Sequence, residues 1–405
     1  MTARHHRRLV LLGGGHAHIE VLRQAARRRF NGGEILVISP SAHSHYTGMI
    51  PGFVRGSYKE FALTIDVAWL TRAAGGTFQE GCAATVAADG RSVELENGHV
   101  LECDLVSADV GSEPSGWRDV PGVADHAFTA RPIERAMALV DAIDHAIERA
   151  RERGTARDAV AIVGGGGGAV EIAFAIRARA EAAAVSFPVT LIEAEARLLP
   201  EFEAAMGQTA SRVLRKRSID VLTRARAAAV TAEEVLLADE RRVASTITVW
   251  LGGAGPVAVT RNSSLPKDAN HFWEVTSTLR STGGAPVWGA GDCIALRDFP
   301  WVPKAGVYAV REGPVLAVNL RAAMAGEADR DAATYEPQQS YVSILDTADG
   351  RAIMRWKGRV IRGRVPLWLK SYIDSQFVDR YRPSWRRWPR VGSVSMAGRY
   401  VTRAD

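Results

Sequence analysis

The chain has 405 residues and a formal net charge of +6 at pH 7, with 47% hydrophobic and 24% charged residues. This length and composition are typical of a globular protein of two or three domains, and they exclude a largely disordered chain. No stretch approaches the roughly 20 apolar residues of a membrane span, and the apolar run after the basic N-terminus is too short for a signal peptide. We therefore expect a cytoplasmic protein without a transmembrane helix.

The first pattern in the chain is an apolar strand that ends in glycines and continues as a helix. The strand is predicted over residues 9–12. Gly13 allows a tight turn, Gly15 lets the backbone approach a pyrophosphate, and the helix presents the first amides, those of His16 and Ala17, to that negative charge. A plain strand-to-helix turn has the same pattern, so this stretch alone leaves both interpretations open.

A helix over 19–29 and a second strand over 34–39 complete a strand-helix-strand unit. An acidic residue commonly ends the second strand of such a unit and binds a ribose, but Ser39 stands there, so a cofactor contact at Ser39 would not use a carboxylate. Histidines in the nearby loops could form a metal site, although such residues beside a nucleotide turn more often line a pocket. They are His16, His18, His43 and His45.

Residues 78–103 read as short strands joined by tight turns at Asp89-Gly90 and Asn97-Gly98. A further strand is predicted over 104–110, and it contains Asp109 and leads to Gly111. Gly111 can bring the backbone close to a nucleotide in the same way as the first turn. The stretch after it is rich in Gly, Pro and Ser and predicts a link out of the first domain.

A second copy of the strand, glycine turn and helix follows an amphipathic helix over 133–153. The turn contains Gly164 and Gly166, and the next strand ends in the carboxylate of Glu193. A carboxylate at this place binds the ribose diol and repels a 2′-phosphate, which favours NADH over NADPH, although the nearby Arg197 weakens that inference. Two such turns about 150 residues apart predict two nucleotide sites in one chain.

A third signal is a short strand over 286–289 that ends in Gly-Ala-Gly-Asp, with Gly291 and Asp292. An Asp at a strand end suits hydrogen bonding to a polyol, and a helix that starts near Lys304 and Ala305 supplies positive partial charge. A turn with a helix-capping Asp explains the same residues. After two nucleotide turns the cofactor interpretation is the more specific one.

Together these features resemble the pyridine nucleotide–disulfide oxidoreductase superfamily and, within it, the type II NADH dehydrogenases. The similarity runs from residue 9 to about residue 324. Three motifs, at 13–18, 45–52 and 303–311, resemble the flavoprotein module fused to selenide, water dikinase. The resemblance implies an α/β chain with two Rossmann-like dinucleotide-binding domains, in which an NAD(H) domain interrupts an FAD domain.

The resemblance also implies cofactor contacts, to which we add His16, Ala17 and Ser39 around the first turn. For FAD these are Gly13 and Gly15 at the pyrophosphate, Asp109 and Gly111 beside the cofactor, Asp292 on the ribityl chain, and Lys304 and Ala305 at the pyrimidine edge. Gly291, next to Asp292, is a further predicted cofactor contact. For NADH they are Gly164 and Gly166 at the pyrophosphate, Glu171 near the nicotinamide and Glu193 on the ribose. The chain departs from the family at His18, Ser39 and Ala169.

The implied reaction is hydride transfer from NADH to FAD, followed by two-electron reduction of an acceptor. Lys304 would stabilise charge on the reduced flavin and Glu171 would orient the carboxamide; a solvated Lys and a first-turn Glu are the structural alternatives. A quinone is the expected acceptor, because Cys82, Cys103 and Cys293 form no sequence pair that predicts a zinc site, a disulfide framework or a dithiol relay. The alternatives are a redox sensor or scaffold with slow turnover and a reductase of a selenium- or sulfur-linked acceptor.

The predicted domains are FAD-binding over 1–115 and 263–328, NAD(H)-binding over 116–262 and a C-terminal region over 329–405. Between Arg355 and Arg390, eleven Lys or Arg face two Asp, a net +9. With its aromatic residues this segment predicts an amphipathic helix at an anionic membrane surface, peripheral on the inner face of the cell membrane. Packing on the flavin domain and a homodimer contact are the alternatives, and no nucleic-acid module accompanies the charge.

In that segment the spacing of Trp368, Tyr372 and Tyr381 predicts much of the apolar surface on one side of a helix, with Ile373 and Phe377 between them. Lys370, Asp374 and Arg380 are predicted to point elsewhere. Trp385 and Trp388 would extend the aromatic set.

Overall fold

The computed structural model describes residues 6–154, 157–327 and 331–383. The strands are β1 (Arg7–Leu12), β2 (Gly33–Ser39), β3 (His43–His45), β4 (Thr64–Asp66), β5 (Thr77–Glu80), β6 (Ala83–Val86), β7 (Ser92–Leu95), β8 (Val100–Glu102), β9 (Leu105–Ala108), β10 (Glu113–Pro114), β11 (Ala127–Phe128), β12 (Val160–Val163), β13 (Val189–Ile192), β14 (Asp220–Leu222), β15 (Ala227–Val230), β16 (Glu234–Leu237), β17 (Arg242–Ala244), β18 (Ile247–Trp250), β19 (Ala254–Gly255), β20 (Trp273–Val275), β21 (Val287–Gly289), β22 (Ile294–Leu296), β23 (Ser343–Asp346), β24 (Ala352–Trp356) and β25 (Arg359–Gly363).

The helices are α1 (His16–Arg27), α2 (Ile50–Arg55), α3 (Glu60–Leu63), α4 (Val67–Ala73), α5 (Val123–His126), α6 (Ile133–Arg153), α7 (Gly167–Ala182), α8 (Ala204–Lys216), α9 (Ala258–Asn262), α10 (Gly306–Ala325) and α11 (Arg364–Arg380). Among the described helices, none combines the length and the apolar composition that a bilayer crossing needs. Helix α1 begins three residues before the predicted start, because the glycine turn leads directly into helical backbone.

The chain divides into two compact units, each built on a parallel sheet. Unit 1 comprises Met1–His45, Thr64–Glu113 and Ala254–Gln339. Its sheet has the strand order β21-β9-β1-β2-β5. The central strand β1 is buried from Leu9 to Leu12, as expected for a parallel strand covered on both faces. Pairing of Leu12 with Ile38 and with Ala108 brings the ends of β1, β2 and β9 to one edge.

Unit 2 comprises Tyr46–Leu63, Pro114–Gly253 and Ser340–Asp405. Its parallel sheet has the strand order β11-β18-β12-β13-β14, which repeats the arrangement of the first sheet around β12. Pairing of Val163 with Ile192 and with Trp250 again brings the ends of adjacent strands to one edge. Strands β23, β24 and β25 form an antiparallel sheet, against which α11 packs.

The compact units differ from the predicted domain ranges in several segments; among the shorter ones, residues 114–115 belong to unit 2 and residues 331–339 to unit 1. Residues 46–63 belong to unit 2, because α2 packs on α6 and α7. Residues 254–262 belong to unit 1, because α9 packs on β6. Residues 340–383 group with unit 2 rather than forming a separate C-terminal region, because α11 and its sheet contact helix α7 and the 46–63 segment. The cofactor assigned to each domain stays a prediction.

The C-terminal helix corrects one prediction. Trp368 and Tyr372 are exposed and stack on each other, with ring centroids 5.7 Å apart. Phe377 and Tyr381 are buried, so the aromatic residues occupy two faces rather than one. Asp374 is also buried, on the face of Phe377, because it has a charged partner there. Residues 384–390, with Trp385 and Trp388, lie outside the described residues.

Candidate functional site

The first glycine turn lies where β1 leaves the edge of its sheet. The amide of Gly13 donates to the carbonyl of Ile38 at 2.7 Å, and Gly13 adopts φ +88°, which favours glycine. Gly15 is the N-cap residue of α1, and its amide donates to the carbonyl of Asp109 at 3.1 Å. Ser39 lies buried at the end of the neighbouring β2.

The space beside Gly15 is filled by a carboxyl group of the chain itself. Oδ2 of Asp109 accepts hydrogen bonds from the amides of Ala17 at 2.7 Å and His18 at 3.0 Å. A Cβ atom at Gly15 would collide with this carboxyl group. The sequence predicts glycine at this position because a pyrophosphate approaches the backbone. That reason is incomplete, because the carboxyl group of Asp109 alone already leaves no room for a side chain.

His18, where the glycine pattern predicts a third small residue, is a buried neutral histidine. Its ring nitrogens lie 2.8 Å from the carbonyl of Gly13 and 2.9 Å from Oγ of Ser107. Burial lowers its pKa to about 4. The described residues contain no group of three or more His, Cys, Asp or Glu that could hold a metal ion.

Helix α10 begins beside helix α1. A Cβ atom at Gly306, the first residue of α10, would lie 3.3 Å from Nδ1 of His16, so the two helix N-termini meet. Ala305 is the N-cap residue of α10. Nζ of Lys304 donates to the carbonyl of Ile294 and lies 4.0 Å from the ring centroid of Phe272. Burial lowers the pKa of Lys304, so this lysine is not simply solvated.

The donors of unit 1 suit a flavin dinucleotide. Two helix N-termini meet at one place and offer positive partial charge to a diphosphate and to a pyrimidine edge. Gly111 has φ +70°, and among the described residues other than Gly111 and its two chain neighbours, no atom lies within 4 Å of where its Cβ would be, so the backbone is open to a ligand there. Beside it, Oδ2 of Asp292 accepts from the hydroxyl of Ser112 at 3.0 Å, and carboxylate oxygens are the kind of acceptor to which polyol hydroxyls donate.

The second glycine turn, in unit 2, has the features of a nicotinamide dinucleotide site. Gly164 has φ +119°, and Gly166 is the N-cap residue of α7. The nearest atom to a Cβ at Gly166 is Oε1 of Glu201 at 3.8 Å, so this turn has room for a ligand. The carboxyl of Glu193 lies against Gly165 and accepts from the amide of Glu195 at 2.7 Å.

Arg197 does not compete with Glu193 in the way the sequence suggested. Its guanidinium donates to the carbonyls of Leu199 at 2.7 Å, Pro200 at 2.9 Å and Phe202 at 2.7 Å. An arginine held by three backbone carbonyls is fixed in its own loop. It is therefore poorly placed to bind a 2′-phosphate.

Glu171 lies in a buried charged cluster of unit 2, which we call the Lys370 cluster: Tyr46, Glu171, Lys370 and Asp374. Oε1 of Glu171 lies 3.6 Å from Nζ of Lys370, and Nζ lies 3.5 Å from Oδ2 of Asp374. Oε1 of Glu171 also accepts from the amide of Asp346 at 2.8 Å. Burial raises the pKa of Glu171 to about 7 and that of Asp374 above its usual range.

One prediction about this cluster is wrong, and one structural alternative is excluded. Lys370 and Asp374 do not point away from the packed face of α11, because each neutralises charge inside the unit. Glu171 is not in the first turn of α7, because that helix starts at Gly167, and its carboxylate is held by Lys370 rather than by the helix dipole.

With this geometry in hand, comparison with known proteins identifies the family. The sequence profile of the family described as pyridine nucleotide-disulphide oxidoreductase matches residues 7–319. The chain belongs to this family. The predicted superfamily, the α/β fold and an oxidoreductase assignment are thereby confirmed.

Similar proteins of this family carry NADH-linked names. A probable NADH dehydrogenase of Dictyostelium discoideum is 23% identical over 322 residues, which cover 74% of this chain and 70% of that protein. The external alternative NAD(P)H-ubiquinone oxidoreductase B4, mitochondrial, of Arabidopsis thaliana is 21% identical over 324 residues, 72% of this chain and 55% of that protein.

Solved structures agree with the fold. NDH2 of Plasmodium falciparum, in complex with NADH, has a TM-score of 0.80 at 14% identity. The superposition covers 94% of this chain and 95% of the NDH2 chain. The sulfide:quinone oxidoreductase of Aquifex aeolicus has a TM-score of 0.75 at 19% identity, with 94% and 93% covered.

The cysteines of this family member are not joined by disulfides. Cys82, Cys103 and Cys293 are all free thiols. Cys293 is fully buried, and its Sγ lies 3.2 Å from the carbonyl of Ala290. Burial raises its pKa to about 12, so the reactive thiolate is disfavoured.

Glu312 on α10 is a buried acidic residue beside the third glycine turn that was not among the predicted site residues. Its carboxyl is buried and accepts from the amide of Gly291 at 2.6 Å, and burial raises its pKa to about 8. The signal was available, because Glu312 follows Tyr308 and precedes Leu316 at steps of four on the buried face of a helix.

Proposed function

We propose that this protein oxidises NADH through non-covalently bound FAD and passes two electrons to a quinone-type acceptor. One observation carries the proposal: in each compact unit a parallel sheet ends in a glycine turn and a helix N-terminus. Unit 1 adds Asp292 and Lys304 at this edge, and unit 2 adds Glu193. The NADH dehydrogenase and NAD(P)H-ubiquinone oxidoreductase names of the relatives support the donor and the acceptor class.

The residues of unit 1 would bind and polarise the cofactor. A bound flavin would supply the centre that accepts a hydride from NADH and returns two electrons to the acceptor. The N-terminus of α10 and the ammonium of Lys304 would stabilise the negative charge that accompanies this reduction, and they are fixed in place before it develops. Asp292 would hold the polyol chain, because its carboxylate accepts hydroxyl hydrogen bonds.

The residues of unit 2 favour NADH over NADPH. The carboxylate of Glu193 would accept hydrogen bonds from both hydroxyls of the adenine-side ribose and would repel a 2′-phosphate. Arg197, the cation that could have offset this repulsion, is held by three carbonyls. Both features support NADH as the physiological donor.

The acceptor is tested by following flavin oxidation after a single reduction. Protein is reduced anaerobically with one equivalent of NADH and then mixed in a stopped-flow instrument with a water-soluble quinone, with a disulfide or with buffer. We expect the quinone to restore the flavin absorption within the turnover time. Restoration by the disulfide at the same rate, or no restoration by the quinone, would contradict the quinone assignment and favour a sulfur-linked acceptor or a slow redox sensor.

We also propose that the exposed face of α11 and β25 binds an anionic membrane surface, where a bilayer-dissolved quinone is available. Val365, Trp368 and Tyr372 are 72%, 53% and 49% exposed, and the neighbouring Ile361 is 47% exposed. Exposed apolar residues of this size, flanked by arginines such as Arg364, are typical of interfacial helices. Deletion of α11 is not a clean test of this surface, because it would also remove Lys370 from its buried partners.

We expect Trp368→Glu to weaken sedimentation with anionic liposomes at least about tenfold, since the loss of one inserted aromatic removes roughly 1.5–3 kcal/mol of apolar transfer energy. Trp301→Glu is the matched control, because Trp301 is 48% exposed and lies in unit 1. Equal liposome binding by the wild type and both variants would rule out this surface.

A further inference from the structure

Asp109 occupies the start of helix α1 with a buried carboxyl group. Its Oδ2 accepts from the amides of Ala17 and His18, the second and third amides of the helix. These amides belong to the group that a helix N-terminus offers to an anion. The chain therefore already holds a carboxyl group at the helix terminus to which we assign the diphosphate of FAD.

The surrounding backbone is shaped around this carboxyl group. A Cβ at Gly15 would collide with it, and a Cβ at Gly291 would lie 2.6 Å from Oδ1 of Asp109. Gly15 belongs to the first glycine turn and Gly291 to the Gly-Ala-Gly-Asp turn. Asp109 thus lies at the meeting point of the two segments that we assign to the cofactor.

Titratable groups on three elements face Asp109 and raise or lower the pKa of its carboxyl group. From α1, the His16 ring attracts the carboxylate, whereas the His18 ring is neutral. From the turn after β21, Asp292 repels it and the neutral Cys293 thiol lies nearby.

On α10, Glu312 is a third acidic group near Asp109. Asp109 raises the pKa of Glu312, whereas Lys304 lowers it. Burial is the largest effect on Asp109 and raises its pKa to about 6, although the two amide hydrogen bonds lower it.

We propose that FAD binding takes up one proton, carried by Asp109, so that this carboxyl group is neutral when the diphosphate lies beside it. The inference rests on the proposed function, because it requires a diphosphate at the first turn. An ionised carboxylate and a diphosphate at one helix terminus repel each other. A neutral carboxyl group keeps a carbonyl oxygen for the amides and gains an O–H group that can donate to a phosphate oxygen.

Proton linkage sets the size of the effect. Below the pKa of Asp109 the dissociation constant for FAD should be independent of pH. Above it, each pH unit should weaken binding about tenfold, because one proton must be taken up. With a pKa of about 6, binding should be up to about 100-fold weaker at pH 8 than at pH 5.

The test is an equilibrium fluorescence titration of the full-length, flavin-free protein with FAD between pH 5 and pH 8. Asp109→Asn keeps the shape and one acceptor oxygen but cannot ionise. We expect this variant to bind FAD with no pH dependence and with a dissociation constant at pH 8 close to that of the wild type at pH 5. Glu312→Gln is the matched control that should keep the wild-type slope.

A second measurement needs no variant. Calorimetric FAD titrations of the wild type at pH 7.5, in two buffers of different ionisation enthalpy, should report uptake of about one proton per FAD bound. Three results would overturn the inference: tight FAD binding that does not depend on pH, a slope that Asp109→Asn retains, or a slope lost in the control variant instead. Absence of FAD binding at every pH would overturn the proposed function as well, so the two failures are distinguishable.

Discussion

Lys370→Met is expected to lower the free energy of unfolding by about 3–5 kcal/mol at pH 8, since removing one partner of a buried ion pair leaves the other charges uncompensated. The uncompensated groups are Glu171 and Asp374, which are 7% and 4% exposed. Lys370 also donates to the carbonyl of Gly48 at 3.0 Å, so the 46–63 segment loses a contact too. Chemical denaturation followed by far-UV circular dichroism measures the loss.

The loss of unfolding free energy in Lys370→Met should be smaller at low pH. This direction follows from the pKa values of the groups in the Lys370 cluster. Burial lowers the pKa of Lys370, but Glu171 and Asp374 raise it above its ordinary value, so Lys370 stays charged between pH 5 and pH 8. The raised pKa values of Glu171 and Asp374 mean that both carboxyl groups take up protons more readily in the folded chain than in the unfolded one. Their burial therefore costs stability as pH rises, and without Lys370 that cost is larger.

Arg380→Met is the matched control, because Arg380 is an exposed cation on the same helix. It should change the free energy of unfolding by no more than about 0.5 kcal/mol at either pH. Equal losses for Lys370→Met and Arg380→Met, or a Lys370→Met loss that grows as pH falls from 8 to 5, would contradict the buried charge cluster.

Glu193→Ala is expected to weaken NADH binding by about 10- to 100-fold, because hydrogen bonds to a charged acceptor contribute roughly 1.5–3 kcal/mol. NADPH binding should change less, since the same substitution also removes the repulsion of a 2′-phosphate. The preference for NADH over NADPH should therefore narrow. The readout is the dissociation constant of each nucleotide, from the rate of flavin reduction at increasing concentrations.

Glu195→Ala is the control for this substitution. Glu195 is an exposed carboxylate two residues away whose amide, not its side chain, contacts Glu193. It should leave both dissociation constants within about twofold of the wild type, since an exposed side chain away from the ligand contributes little. An unchanged NADH/NADPH ratio in Glu193→Ala would remove this residue from the site.

The elements that carry the glycine turns could be predicted from the sequence because their signals are local. Apolar strands, glycines at tight turns and helical periodicity set β1, α1, β12 and α7 within a few residues. The end of β13 also predicted the place of Glu193. These positions follow from short stretches in which backbone geometry and burial act together.

Contacts between distant segments could not be predicted in the same way. The sequence does not show that Asp109 reaches the amides of Ala17, nor that Lys370 reaches Glu171, because each pair joins residues about 90 or 200 positions apart. Helical spacing assigned Lys370 to the solvent side of α11, since an unpaired lysine prefers water. Burial with two carboxylates reversed that preference, and only the packed structure reveals the partners.

The most direct test of the central claim, that this chain binds FAD and reduces it with NADH, is the visible absorption spectrum of the purified full-length protein before and after anaerobic addition of NADH. We predict a flavin spectrum from non-covalently bound cofactor that is released as FAD on denaturation and is bleached by stoichiometric NADH. Colourless protein that cannot be reconstituted with FAD, or a bound flavin that stays oxidised in excess NADH, would contradict the account.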